Sequence, residues 1–124
     1  MEIKKVSIAE KLSLFNDYWN QRIVRELNGQ HVKLVKAHGE FEWNKHEDED
    51  EMFLVVNGEF DKELRNQTIS VKTGEFIIIP RNIEHKPIVK NEAHLILFEP
   101  ANTVNTGDNK PSRLSYNKNM CYIC

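Results

Sequence analysis

Two histidines and one glutamate stand at positions from which a metal site can be built. His46 and Glu51 are separated by four residues, and His85 lies farther on, after the Pro80-Arg81-Asn82 turn. Divalent first-row ions take neutral imidazole nitrogen and carboxylate oxygen, and strands hold such ligands rigidly. Two imidazoles and one carboxylate leave coordination positions open, a donor set associated with non-haem Fe(II), and Zn(II), Mn(II) and Ni(II) fit it as well. Asn44 shares strand parity with His46 and so belongs to the same face. No residue stands out as an independent general base. Glu42, with the parity of His46, is a weak candidate.

Strands must deliver these side chains, and the flanking sequence reads as strands. Arg22–Leu27 and His31–Lys36 flank Asn28-Gly29, a dipeptide suited to a type I′ hairpin turn because it tolerates positive φ at both centres. His38-Gly39 marks a bend. From Glu40 to His46 the pattern alternates, placing Phe41, Trp43 and Lys45 opposite Glu42, Asn44 and His46. Glu51–Val56 is almost continuously apolar, which predicts a strand covered on both faces. Segments 59–64, 68–71, 76–79 and 94–98 follow, separated by Asn57-Gly58, Arg65-Asn66-Gln67, Thr73-Gly74 and Pro80. Strands at near-regular spacing predict an all-β sandwich or barrel.

One helix precedes them. Ser7 and Glu10 form a capping-box pair, and Ile8, Leu12, Phe15 and Trp19 recur at helical spacing. The expectation is a helix over 8–19 lying on the sheet, a barrel over 22–100 and an irregular tail over 101–124, in one domain spanning 1–124.

The spacing resembles that of the cupin family. Gly39, His46, Glu51 and Gly58 fit the first cupin motif, with six residues between Glu51 and Gly58. Gly74, Pro80 and His85 fit the second, with Asn82 where glycine is usual and Val89 where asparagine is usual. Asparagine tolerates positive φ, so the Asn82 exchange is mild. The stretches around Trp43–His46 and from Glu99-Pro100 to Asn105-Thr106-Gly107-Asp108 look like small single-domain cupins of type 2, often labelled mannose-6-phosphate-isomerase-like and of unassigned activity.

The resemblance implies a jelly-roll β-barrel, commonly a homodimer, with a metal held by three histidines and a glutamate. Carried over singly, the metal ligands are His46, Glu51 and His85, and the first histidine falls on Asn44. An amide oxygen is a weaker donor than imidazole, so metal affinity should drop.

Composition narrows the function classes. The chain has 124 residues, enough for one domain with a real core. Its 29% charged and 40% hydrophobic residues describe a globular chain rather than a disordered one. A net charge of -2 with no basic block beyond Lys4-Lys5 argues against nucleic-acid binding. No apolar run reaches the roughly 18 residues of a membrane span, and Met1–Trp19 lacks the apolar core of a signal peptide, so the expected location is cytoplasmic. The acidic run Glu47–Asp50 reads as a solvated loop. His38 and His94, on strands, read as half-buried residues, with a site role as the alternative. Cys121 and Cys124 read as free thiols rather than a redox pair, because no βαβ context surrounds them.

Two functions fit. One is a metal-dependent enzyme for a small metabolite, performing isomerisation, decarboxylation or dioxygenation. The other is a non-catalytic barrel binding a sugar-like molecule, with a degenerate or empty metal site, a reading that the Asn44 exchange favours. A partner-binding role would use Phe41 and Trp43, which more readily pack on the helix or a second subunit.

Overall fold

The computed structural model describes residues 2–103. The tail after Thr103, with Cys121 and Cys124, lies outside the described residues. Helix α1 (Ile8–Leu12) is followed by seven strands: β1 (Arg22–Leu27), β2 (Gln30–Glu40), β3 (Glu51–Asn57), β4 (Glu59–Leu64), β5 (Thr68–Lys72), β6 (Phe76–Ile79) and β7 (His85–Pro100). All pairings are antiparallel. The result is an all-β jelly-roll barrel with one short N-terminal helix.

Two long strands fold the sheet around a core. β7 pairs with β4 through His85–Ile88 and with β3 through His94–Phe98, while β2 runs along its other edge. β7 therefore belongs to both walls and bends between them near Lys90–Glu92. The β3–β4 turn presses against that bend. A Cβ on Gly58, at φ +84°, would lie 2.7 Å from the Glu92 carbonyl oxygen, so no side chain fits there. The β1–β2 hairpin turns as expected, with Asn28 and Gly29 at φ 51° and 77°.

Inside the barrel, Val35, Phe53, Val55, Phe60, Leu95 and Leu97 form the main apolar cluster. Leu34 points the other way and joins Leu12, Phe15 and Val24 beneath the helix. Alternation along β3 is cleaner than the sequence implies. Glu51, Phe53 and Val55 are buried, whereas Met52, Leu54 and Val56 are half-buried, so its outer face is only partly covered.

The helix is shorter than the expected 8–19. Ser7 caps it, its side chain accepting from the Glu10 amide at 3.2 Å. Ser13 ends it, its amide reaching Ala9 and Glu10 carbonyls together. Helical spacing persists as far as Phe15, but Trp19 is claimed by the barrel. At φ 65° it donates its backbone amide to Lys36 O and its indole Nε1–H to His38 O. Asp17 pairs with Arg22 at 2.9 Å and also takes an Asn20 amide, which holds the connection non-helical.

The expected strand over 40–46 is also absent as a continuous element. β2 ends at Glu40, and only Asn44 pairs onward, as a single bridge to His85. Strand parity therefore does not hold. Phe41 is buried on the cavity side with Asn44 and packs on Trp19, with ring centroids 4.9 Å apart, rather than standing opposite. Trp43 lies under the Arg65 guanidinium, 3.7 Å from the ring centre.

Candidate metal centre

The segment before β3 crosses the mouth of the barrel and is pinned to the β6–β7 turn by backbone bonds. Asn44 and His85 exchange both amide–carbonyl hydrogen bonds at 2.9 Å, and the Asn82 amide donates to His46 O at 2.7 Å. Asn82 has φ 66°, the left-handed conformation the turn demands and asparagine accepts. Arg81 holds Asp50 through its amide and guanidinium, which fastens the exposed acidic loop to the same turn. Side chains far apart in sequence are thereby brought to one place.

There His46, Glu51 and His85 converge, all buried, with one ligand atom of each lying within 4.8 Å of the others. His46 Nε2 lies 2.7 Å from Glu51 Oε1, and His85 Nε2 lies 3.5 Å from it. Donors roughly 2.0–2.2 Å from a first-row ion sit about 3 Å apart, so these separations suit a shared cation. His85 Nδ1–H donates to Ile83 O at 3.0 Å, which turns the lone pair of Nε2 toward Glu51. Phe53 meets the His85 ring edge-on and helps fix it.

Electrostatics favour the ligating forms. Burial, reinforced by Lys62, lowers the His85 pKa against the opposing pull of Glu51, so the imidazole is neutral at pH 7. Burial alone would raise the Glu51 carboxyl, but contacts with Glu99, His46 and His85 outweigh it and hold that group well below the usual carboxylate range. A neutral imidazole and an ionised carboxylate are what a divalent ion requires.

Asn44 is buried and lines the same cavity as Glu51 and His85. Its Nδ2–H donates to Glu42 O at 2.9 Å, which leaves Oδ1 as the atom it could offer an ion. Glu42 is half-buried and does not line the cavity. His38 is exposed beside Tyr18, and His94 contacts Glu92 and Asn57, so neither joins the cluster.

The interior also holds charged groups that the sequence reading passed over. Lys33, Lys62 and Glu99 are fully buried. Lys33 Nζ and Glu99 Oε1 pair at 2.8 Å. Burial, then the neighbouring Glu51 carboxylate, push the Glu99 carboxyl well above its ordinary value, against the pull of Lys33. Lys62 Nζ lies 3.4 Å over the Phe53 ring centre. Burial pulls it down to about 7, against the upward pull of Glu51 and Glu99. Parity was the available signal: Lys62 alternates with Phe60, Lys33 with Val35 and Glu99 with Leu97, each an inward position.

Residues 30–99 match the family described as Cupin domain. Among solved structures, a cupin-2 domain containing protein from Shewanella frigidimarina is 41% identical, with a TM-score of 0.76 over 77% of this chain and 93% of that one. Protein NMB1881 from Neisseria meningitidis shares the fold at 23% identity, with a TM-score of 0.73 over 78% and 99% of the two chains. The uncharacterised protein YdbB of Bacillus subtilis is 31% identical over 64 residues, which are 51% of this chain and 57% of YdbB, a little over half of that relative's length. No helix among the described residues is long and apolar enough to cross a membrane.

Proposed function

The chain belongs to the cupin-domain family, and from that premise we propose that it binds one divalent transition ion at His46, Glu51 and His85, with Asn44 as a weaker fourth donor, and acts on a small metabolite. The observation that carries this reading is the convergence of three buried donor atoms within 4.8 Å. The Ile83 carbonyl supports it by holding the proton of His85 on Nδ1. Iron, manganese, zinc and nickel all suit the donor set. The bound ion would supply Lewis acidity to a ligand carbonyl or hydroxyl oxygen, which serves isomerisation and decarboxylation, or would act as an oxygen-binding centre, which dioxygenation needs. His46 and His85 would orient it, Glu51 would balance its charge, and Trp19, Phe41 and Phe53 would keep bulk water from the cavity. The same reading takes the chain as a homodimer, tested by sedimentation.

A second reading rests on Asn44. Its amide replaces an imidazole of the family pattern and is tethered to Glu42 O, which favours a barrel that binds a small molecule without turnover. Metal analysis of protein purified without chelators or added metal separates the two. The first reading expects close to one ion per chain, lost in Glu51→Gln and His85→Ala. A zero that persists in Asn44→His overturns it and leaves the binding barrel.

A further inference from the structure

Beside Glu51 and His85, the cavity contains two polar atoms that the metal reading does not use. Lys62 enters from β4 and Gln21 from the connection before β1, and both line the cavity with Asn44, Glu51 and His85. Lys62 is fully buried and Gln21 is 5% exposed. Among the described residues, neither Lys62 Nζ nor Gln21 Oε1 has a hydrogen-bond partner. A buried ammonium without acceptors is costly, and so is a buried amide oxygen without a donor. The Phe53 ring covers one side of the ammonium but offers it no lone pair. Lys33, by contrast, satisfies the same chemistry within the protein, through Glu99.

We infer that Lys62 and Gln21 form the recognition site for a small hydroxyl-bearing carboxylate, the ammonium receiving the carboxylate and the amide oxygen accepting from the hydroxyl. This rests on the metal-site reading only in sharing its cavity. The chemistry is complementary: Lys62 offers only donors, and Gln21 Oε1 only accepts. Size agrees. The cavity is about 30 Å³, where one water needs roughly 10–15 Å³ on the same measure. A two-carbon hydroxy acid head therefore fits and a sugar ring does not. Apolar walls from Trp19, Val35, Phe41 and Leu95 raise the strength of a charge-assisted hydrogen bond inside.

Calorimetric titration of chelator-treated protein with glycolate, acetate and glycolamide tests the site without metal. Glycolate should bind at least tenfold more tightly than the neutral, near-isosteric glycolamide. Lys62→Met should weaken glycolate at least tenfold. Gln21→Leu should bring glycolate down to the level of acetate. The methionine removes a buried unpaired charge, so the variant should fold, and intact metal uptake by Lys62→Met confirms that the donors are undisturbed. Glycolamide binding as well as glycolate, a Lys62→Met affinity within twofold of wild type, or no carboxylate binding at all overturns the inference. The metal reading is decided separately, by metal content, so either can fail alone.

Discussion

Lys33 and Lys62 lie in the same barrel, both fully buried, and differ in what meets the ammonium. Lys33 finds Glu99 at 2.8 Å. Lys62 finds the face of Phe53 and no hydrogen-bond acceptor among the described residues. Burial is the same and completion is not. A satisfied buried charge holds structure together, whereas an unsatisfied one is carried at a cost to stability and points to something outside the chain. The lysine that lines the cavity with Glu51 and His85 is the unsatisfied one.

The harshest way to test that contrast is to break the satisfied pair. Glu99→Leu strands Lys33 Nζ in the interior and removes a neighbour of Glu51, and should destabilise the fold by about 3–5 kcal/mol. Pairing it with Lys33→Met should recover most of that loss, because two apolar groups replace two buried polar ones. Urea unfolding of the single and double variants measures both. A double variant no better than Glu99→Leu would mean that the pair matters for more than its mutual neutralisation.

The converse substitution should stabilise. Lys62→Met in metal-free protein should gain about 1–4 kcal/mol at pH 7. The sign follows from proton binding. In the unfolded chain this lysine keeps its proton up to its ordinary value of 10.5, and in the folded protein only up to about 7. Its penalty is therefore complete below pH 7 and is relieved as pH rises from 7 to 10.5. The advantage of the methionine variant should accordingly be largest at or below pH 7 and shrink toward pH 10, as read from denaturant midpoints at several pH values. An advantage that grows with pH would contradict the burial of a cationic Lys62.

A smaller effect concerns the donor set beside that lysine. Asn44→His should tighten metal binding by about tenfold, since imidazole nitrogen replaces amide oxygen at a corner already facing the cavity. Competition with a chromogenic chelator measures it. The substitution should leave glycolate selectivity unchanged, because Lys62 and Gln21 are untouched. An equal change in both would show that the metal donors and the charged wall act as one unit.

The cluster of His46, Glu51 and His85 was legible in sequence, and the charged wall was not, for a physical reason. His46, Glu51 and His85 sit at spacings set by Gly58, Pro80 and the turn at Asn82, and turn chemistry is local. Lys33, Lys62 and Glu99 look like solvent-facing residues until their parity with Val35, Phe60 and Leu97 is counted. The length of β7 was hidden similarly. Only 94–98 was expected as a strand there, yet His85, Pro87 and Val89 all point inward as well, and the polar run Lys90-Asn91-Glu92 is the bend between the walls. The hairpin, the β3 strand and the helix start were correctly located by local signals. The helix end was not, because Trp19 is drawn into the barrel by partners on β2 that helical periodicity does not register.

The mildest substitution, at Asn82, separates backbone from side-chain roles. Its φ of 66° costs a non-glycine residue energy, and its amide holds His46 O at 2.7 Å. Asn82→Gly keeps that amide and relaxes the conformation, so stability should move by no more than about 0.5 kcal/mol. Asn82→Ala should cost about 1 kcal/mol, because alanine lacks the local tolerance of asparagine for this region. Both variants should retain metal affinity within threefold and glycolate selectivity intact, because neither the donors nor Lys62 depends on the Asn82 side chain. A large loss of metal in Asn82→Gly would instead assign that side chain a part in holding His46, and the rim of the barrel would then owe its geometry to more than its backbone.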